Sequence, residues 1–266
     1  MPTYPASRVE RLVALDHLRG FIIVLVVLHH AVLAYCTFGH LDHVNYALST
    51  APIVDRTRWR GFDITVLLND AFFMPLLLLL SGLFVPATLA RKGTGNFLRG
   101  RLLRLGLPFT VAELTIVPLA YYPSFLQAGG TPGFGGFWVT TVTVGPWPSG
   151  PPWFIAILLL FDVALVLVPG PLLRPLRRAW PDYPTPGRCF AVLLGGSTIL
   201  YLPLLLHVGP ARWFSFGPVA IQGSRIGLYA AYFVAGAALG AGGNPSLRCF
   251  GEAIARRWPV GRCSQS

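Results

Sequence analysis

"RGFIIVLVVLHHA" runs from Arg19 to Ala31, and its reading decides the fold. From Gly20 to Leu28 no side chain carries a charge or a hydrogen-bonding group. An arginine stands at one end and two histidines at the other. A soluble core helix avoids such ends, and a plain membrane anchor has no use for imidazoles. The stretch reads as part of a membrane-spanning helix that retains ionisable groups.

The whole chain agrees on that solvent. It has 266 residues, 54% hydrophobic and 12% charged, with Lys92 as its one lysine. Mean hydropathy is +0.60. Soluble domains carry about 25% charged residues. Several stretches reach the roughly 20 apolar residues that cross a hydrocarbon core of about 30 Å. The pattern predicts six spans, at 14–36, 66–88, 105–127, 152–170, 189–207 and 217–241. All are expected to be helices, because lipid offers the backbone no hydrogen-bond partner. Pro75, Pro118 and Pro203 fall inside spans and predict kinks. The predicted fold is all-α: one polytopic bundle over 1–244 with a basic tail at 245–266.

A net charge of +11 raises the question of nucleic acid. The arginines instead sit in blocks between spans, which is a topology signal. Arg8 and Arg11 precede span one; Arg91, Lys92, Arg99, Arg101 and Arg104 lie between two and three; Arg174, Arg177, Arg178 and Arg188 between four and five; Arg248, Arg256, Arg257 and Arg262 after six. The 128–151 connection has no Lys or Arg. Arg56, Arg58 and Arg60 dissent, offset by Asp42 and Asp55. The positive-inside rule puts both termini in the cytoplasm, and no nucleic-acid partner is expected. Span one lacks a cleavage site and is expected to be retained. The four cysteines show no metal or redox spacing. The 128–151 stretch, rich in Gly and Pro, cannot hold a long helix and reads as an interfacial segment.

Arg19 and His30 are eleven positions apart. At about 100° and 1.5 Å per residue they share one helix face, with His30 about 16 Å deeper and His29 about 80° off that face. The expectation is an inward-facing stripe from the cytoplasmic boundary at Arg19 to mid-membrane at His30. Ionisable groups at such depths are usually paired or functional. Arg19 has a bland alternative in snorkelling beside Asp16, and His30 in a helix-to-helix hydrogen bond. The functional alternative for His30 is proton transfer, since imidazole titrates near neutrality.

Four stretches together carry a resemblance. "LDHLRGFIIVLVVLHHA" holds Arg19, ten intervening residues, then His30; "FFMPLLLLLSGLF" covers 72–84; "FLRGRLLRLGLPF" covers 97–109; "GPWPSGPPWFIAILLLFD" covers 145–162. In order and spacing they resemble the acyltransferase family 3 integral membrane proteins, over residues 11–240. The Phe-Phe-Met-Pro form resembles the branch with glucan-modifying, succinyltransferase-like members. The resemblance implies transfer of an acetyl- or succinyl-type group from acyl-CoA, a co-substrate rather than a bound cofactor. The acceptor is a hydroxyl of an extracytoplasmic carbohydrate or other small molecule, and the setting a bacterial inner membrane.

On that resemblance His30 and Arg19 are the catalytic pair, and Arg101 and Arg104 bind the anionic coenzyme. Clustered guanidinium groups suit that ligand through charge-assisted, bidentate contacts. Asp70, with Asn69, is expected near the outer face as a possible acceptor contact. Glu113 is a possible supporting carboxylate, with a structural ion pair as its bland alternative. Ser81 is a supporting candidate whose Ser-Gly setting equally suits close helix packing. Trp153 suits either packing or a sugar platform. Asp162 and Arg225 are noted in spans four and six without a role. No metal site is expected.

The resemblance also implies about ten membrane helices of about 20 residues each, where this sequence offers six. The tail beyond residue 244 therefore reads as a frameshifted or early-ended copy. Two other classes stay open: a small proton-linked transporter or flippase, and a non-catalytic remnant.

Overall fold

The computed structural model describes residues 13–148, 150–168, 186–210 and 212–241. It is a helical membrane bundle, 75% helix and 4% strand. In chain order it comprises α1 (Val13–Leu33), α2 (Arg60–Leu83), α3 (Val85–Arg101), α4 (Leu107–Val111), α5 (Val117–Gln127), α6 (Phe134–Thr143), α7 (Trp153–Leu167), α8 (Pro186–Val208), an antiparallel hairpin β1 (Trp213–Phe216) and β2 (Val219–Gln222), and α9 (Ile226–Ala241). Four helical stretches are long and apolar enough to cross a membrane: Leu15–Leu33, Arg60–Leu83, Val85–Gln127 and Gly187–Val208; Trp153–Leu167 is shorter. The expected tail at 245–266, and Arg8, Arg11, Arg174, Arg177 and Arg178, lie outside the described residues.

Several expected boundaries move. Span three is one part of a helical run from Val85 to Gln127. The run turns at Gly93, whose φ of 71° no side-chain-bearing residue adopts cheaply. Two π turns, Leu102–Gly106 and Ala112–Ile116, separate α3, α4 and α5. Each stands just before a proline, Pro108 and Pro118. A proline ring presses on the carbonyl four residues back and offers it no N–H. A wider turn relieves the contact, so the expected kink at Pro118 is realised as a π turn. The carbonyl that Pro118 deprives is Leu114, and the Trp138 indole donates to it at 2.7 Å. The 128–151 segment thus contains a ten-residue helix, α6, docked on α5. Span six begins at Ile226 rather than 217, because the β-hairpin occupies residues 213–222.

The tightest packing in the bundle is between α2 and α9, which run parallel. A Cβ on Gly236 would meet the Leu79 carbonyl, one on Gly240 the Leu83 carbonyl, and one on Gly82 the Phe233 carbonyl. Lipid tails give apolar side chains no reason to leave them, so membrane helices associate where small residues let backbones approach. Gly236 and Gly240 supply that face one turn apart, and Gly82, beside Ser81, answers it. Around this seam the core gathers Ile22 from α1, Phe73 and Leu78 from α2, Phe97 from α3, Ile157 from α7, and Tyr229 and Phe233 from α9. Among the described elements, α1 packs extensively on α2 alone.

The 34–59 connection is tied down by polar contacts. Asp63, in the first turn of α2, accepts from the Thr37 backbone N–H at 2.7 Å and from its hydroxyl. Arg58 donates to the Cys36 carbonyl at 2.8 Å, so one dissenting arginine of the topology count closes a loop. Asp42 accepts backbone N–H groups from Asn45 and Val44, at 2.8 and 2.9 Å. These bonds hold its carboxyl below the usual carboxylate range. Tyr46 reaches Thr141 of α6 at 3.1 Å, and the Ser124 hydroxyl of α5 donates to the Pro52 carbonyl.

Candidate functional site

The inward line of α1 is not the expected one. Leu15, Ile22 and His29 are all buried. Seven residues turn about 700°, so this heptad line drifts only about 20° per step. Arg19 and His30 do share a face of the helix, but it is the flank of that line. Arg19 is exposed, with its guanidinium 5.8 Å from the Phe84 ring, and His30 is half-buried. His30 also lies in the last turn of α1 rather than mid-span, because the helix ends at Leu33 where the chain turns to meet Asp63.

A polar cluster forms where the last turn of α1 meets α2 and the turn leading into α9. The His29 and His30 rings meet edge to face, 5.3 Å apart and 84° inclined. Phe73 packs on the other side of His29 at 5.0 Å. Asp70 lies ten residues into α2, nearly three turns past Arg60, because the helix begins before the 66 expected for span two. Its carboxylate pairs with Arg225 Nη2 at 3.2 Å, and Arg225 Nη1 donates to the Asp70 backbone carbonyl at the same distance. The charges of Asp70 and Arg225 both reach His29. The Asp70 charge and the neighbouring His29 reach His30.

On the elements that meet here, four buried polar atoms lack a hydrogen-bond partner, His29 Nδ1, His30 Nε2, Asn69 Nδ2 and Ser224 Oγ; elsewhere Ser197 Oγ and both carboxylate oxygens of Glu113 and of Asp162 lack one too. Each such atom costs about 1–3 kcal/mol when left unpaired. His29 and Asn69 are each 6% exposed and Ser224 0%. Around these atoms, His30, Asp70 and Arg225 are partly accessible.

A second charged centre lies toward the other end of the bundle. Arg101 Nε stands 3.1 Å from Asp162 Oδ2, with side-chain exposures of 23% and 0%. The contact is an ion pair without hydrogen-bond geometry, so both Asp162 oxygens remain without a hydrogen bond. The Arg101 guanidinium also stacks over Phe97 at 5.1 Å. Arg104 is exposed, whereas Arg101 is half-buried. Arg104 belongs to the π turn Leu102–Gly106 that follows Arg101.

The remaining candidates separate. Glu113 is 2% exposed within the second π turn, and neither carboxylate oxygen has a hydrogen-bond partner. Ser81 is half-buried beside Gly82 at the α2–α9 seam. Trp153 is 7% exposed and packed on Tyr229, Trp213 and Phe154, so it presents no open platform. Sequence reasoning set His29 aside, left Arg225 and Asp162 without partners, and passed over Ser224. The available signal was their chemistry: polar side chains at membrane depth find partners. Which partner each finds depends on packing between distant helices. No group of residues able to hold a metal ion occurs among the described residues.

Comparison with known proteins gives one match. A family model described as an acyltransferase domain matches residues 12–245. No curated protein and no solved structure matches the chain.

Proposed function

Since the chain belongs to the acyltransferase family 3 of membrane proteins, we propose that it moves an acetyl- or succinyl-type group from acyl-CoA to a hydroxyl of an extracytoplasmic carbohydrate or similar small acceptor. The observation that carries the reading beyond the family is the His30 imidazole. Its Nε2 has no protein partner, and it stands beside His29 within reach of the Asp70 charge.

In the proposed step His30 takes the proton from the acceptor hydroxyl as its oxygen forms a bond to the thioester carbonyl carbon. The tetrahedral oxyanion then collapses, the carbon–sulfur bond breaks, and the coenzyme thiolate leaves. His30 returns the proton to that sulfur, so ester and free thiol are the products. A positioned base of this kind is worth about 10²–10⁴-fold in rate.

Arg19 lies on the same flank of α1 as His30, about 16 Å away along the helix. That separation suits a donor whose anionic end sits at Arg19 and whose extended pantetheine arm carries the thioester toward His30. Arg101 joins Arg19 as a donor contact, held by Asp162, while Arg104 offers an exposed guanidinium to the outlying phosphate. On this reading Arg19 and Arg101 face the cytoplasm and the histidine end faces outward.

The test is transfer of radiolabel from acetyl-CoA or succinyl-CoA into glycan by membranes holding this protein, beside His30→Ala at matched protein level. Label that depends on His30 supports the reading. Equal label from wild type and variant sinks the role of His30, and none from inserted wild type sinks the activity.

A further inference from the structure

The arginines that depart from the topology rule have a structural setting of their own. Residues 55–59 are tied to the end of α1. The Asp55 N–H donates to the Ala34 carbonyl at 2.9 Å, and the Trp59 N–H to the Tyr35 carbonyl at 3.0 Å. Since α1 ends at Leu33 and α2 opens at Arg60, these bonds hold the segment level with both helix ends. Arg58 turns inward to the Cys36 carbonyl. Arg56 and Arg60 are instead exposed.

The carboxylates nearest in sequence are engaged elsewhere. Asp55 accepts the Thr57 N–H at 2.7 Å, and Asp63 accepts the Thr37 N–H at the same distance and its hydroxyl as well. Neither forms an ion pair with Arg56 or Arg60 among the described residues.

Arg60 heads a stripe of α2. Positions 60, 64, 67 and 68 are spaced three or four residues apart, so they share one helix face. Ile64, Leu67 and Leu68 are each more than half exposed. On a membrane-spanning helix such side chains face lipid tails, which are as apolar as leucine itself. Arg60 stands about 6 Å beyond Ile64 along the axis, where tails give way to headgroups. Trp59, beside it, is also more than half exposed, and tryptophan favours that same depth.

Guanidinium groups meet phosphate through charge-assisted, often bidentate hydrogen bonds. We infer that Arg56 and Arg60 bind the headgroup phosphate of an anionic phospholipid whose acyl chain lies along Ile64, Leu67 and Leu68. Two cations without a carboxylate partner favour a lipid of net negative charge over a zwitterionic one. The charge that breaks the topology pattern is met by the bilayer itself. The site is independent of acyl transfer.

The experiment places the intact protein in nanodiscs of phosphatidylcholine with and without phosphatidylglycerol, and reads the lipids it retains by native mass spectrometry. Arg56→Gln, Arg60→Gln and the double variant are compared with Arg188→Gln, which removes an exposed arginine at the start of α8. Wild type should retain phosphatidylglycerol in preference to phosphatidylcholine. A basic residue near an anionic surface contributes about fivefold in affinity, so each single variant at 56 or 60 should lose about that much preference. The double variant should lose most of it, and Arg188→Gln should keep it. Because both arginines are exposed, their variants should unfold at the wild-type temperature in phosphatidylcholine alone. No preference in wild type overturns the inference, and so does a double variant that keeps the preference. An equal loss in Arg188→Gln overturns it too, since general surface charge would then be the cause. So does a lower unfolding temperature in phosphatidylcholine, which would mean that the arginines serve the fold.

Discussion

Asp70 and Arg225 are 155 positions apart in the chain, and the arginine holds the aspartate twice, through its carboxylate and its backbone carbonyl, each at 3.2 Å. The pair joins α2 to the entry of α9 beside the two histidines. It is partly accessible, with side-chain exposures of 35% for Asp70 and 18% for Arg225. Removing one partner is therefore expected to cost less than in a fully buried pair, about 1–3 kcal/mol. Arg225→Leu and Asp70→Leu should each lower the unfolding temperature, and the double variant should recover much of the loss. Detergent-phase thermal unfolding of the four proteins checks this, and additive losses would contradict it.

Arg101 and Asp162 should behave asymmetrically. Asp162 is fully buried, whereas Arg101 retains some exposure. Arg101→Leu strands a carboxylate inside the bundle and should cost about 3–5 kcal/mol. Asp162→Leu should cost less, because the long arginine side chain can turn its head toward water. Equal losses measured by thermal unfolding would show that the two exposures do not govern the cost.

At Gly236 any side chain meets the Leu79 carbonyl, a backbone atom with no freedom to move aside. Gly236→Leu should overpack the seam by about 1–3 kcal/mol or more. It should also lower label transfer, because the same seam positions Asp70 against Arg225. An unfolding temperature unchanged from wild type would show that α2 and α9 are not in backbone contact.

Trp138 supplies the N–H that Pro118 cannot give to Leu114. Trp138→Phe keeps an aromatic ring near α5, though a smaller one, and leaves that carbonyl without its donor. The expected cost is about 1 kcal/mol. Faster amide exchange should appear across residues 112–118, read by hydrogen–deuterium exchange mass spectrometry. Exchange unchanged there would mean the carbonyl has another partner.

The 40–50 segment should respond to acid in one direction only. The backbone N–H of Asn45, then that of Val44, depress the carboxyl of Asp42 below its ordinary range. A depressed carboxylate contributes order that is present above its unfolded value and lost as pH falls through the lower folded one. Amide exchange at Val44 and Asn45, taken relative to the intrinsic rate at each pH, should stay constant from neutrality down to the ordinary aspartate range and rise only below it. Asp42→Asn should show no such rise.

The membrane class, the helical content and the approximate place of each apolar segment were legible in composition and length, because lipid leaves the backbone few choices. The Ser81-Gly82 step was legible as a packing contact for the same reason. Helix ends were less so. Nothing in "HHAVLAYC" announces that α1 stops at Leu33, since the stop is set by Asp63 reaching Thr37 across 26 positions. The prolines signalled distortion, but whether Pro118 yields a kink or a π turn depends on Trp138 being present to take the freed carbonyl. His30 could be singled out by its spacing from Arg19. That His29 holds the buried position could not, because the inward face of a helix is chosen by the neighbour it packs on. The partners of Arg101 and Arg225 were hidden for the plainest reason: both lie on other helices, and a single sequence carries no distance between them.

The glycine seam between α2 and α9 has a consequence at its far end. Where backbone rests on backbone there is no compressible side-chain layer, so the spacing of the two helices is fixed as a caliper is fixed by its closed jaws. Asp70 stands on one jaw, about 18 Å along α2 from Gly82, and Arg225 at the tip of the other. The opening between them is thus a dimension written by glycines more than three turns away, while α1 lies outside the jaws and packs extensively on α2 alone among the described elements.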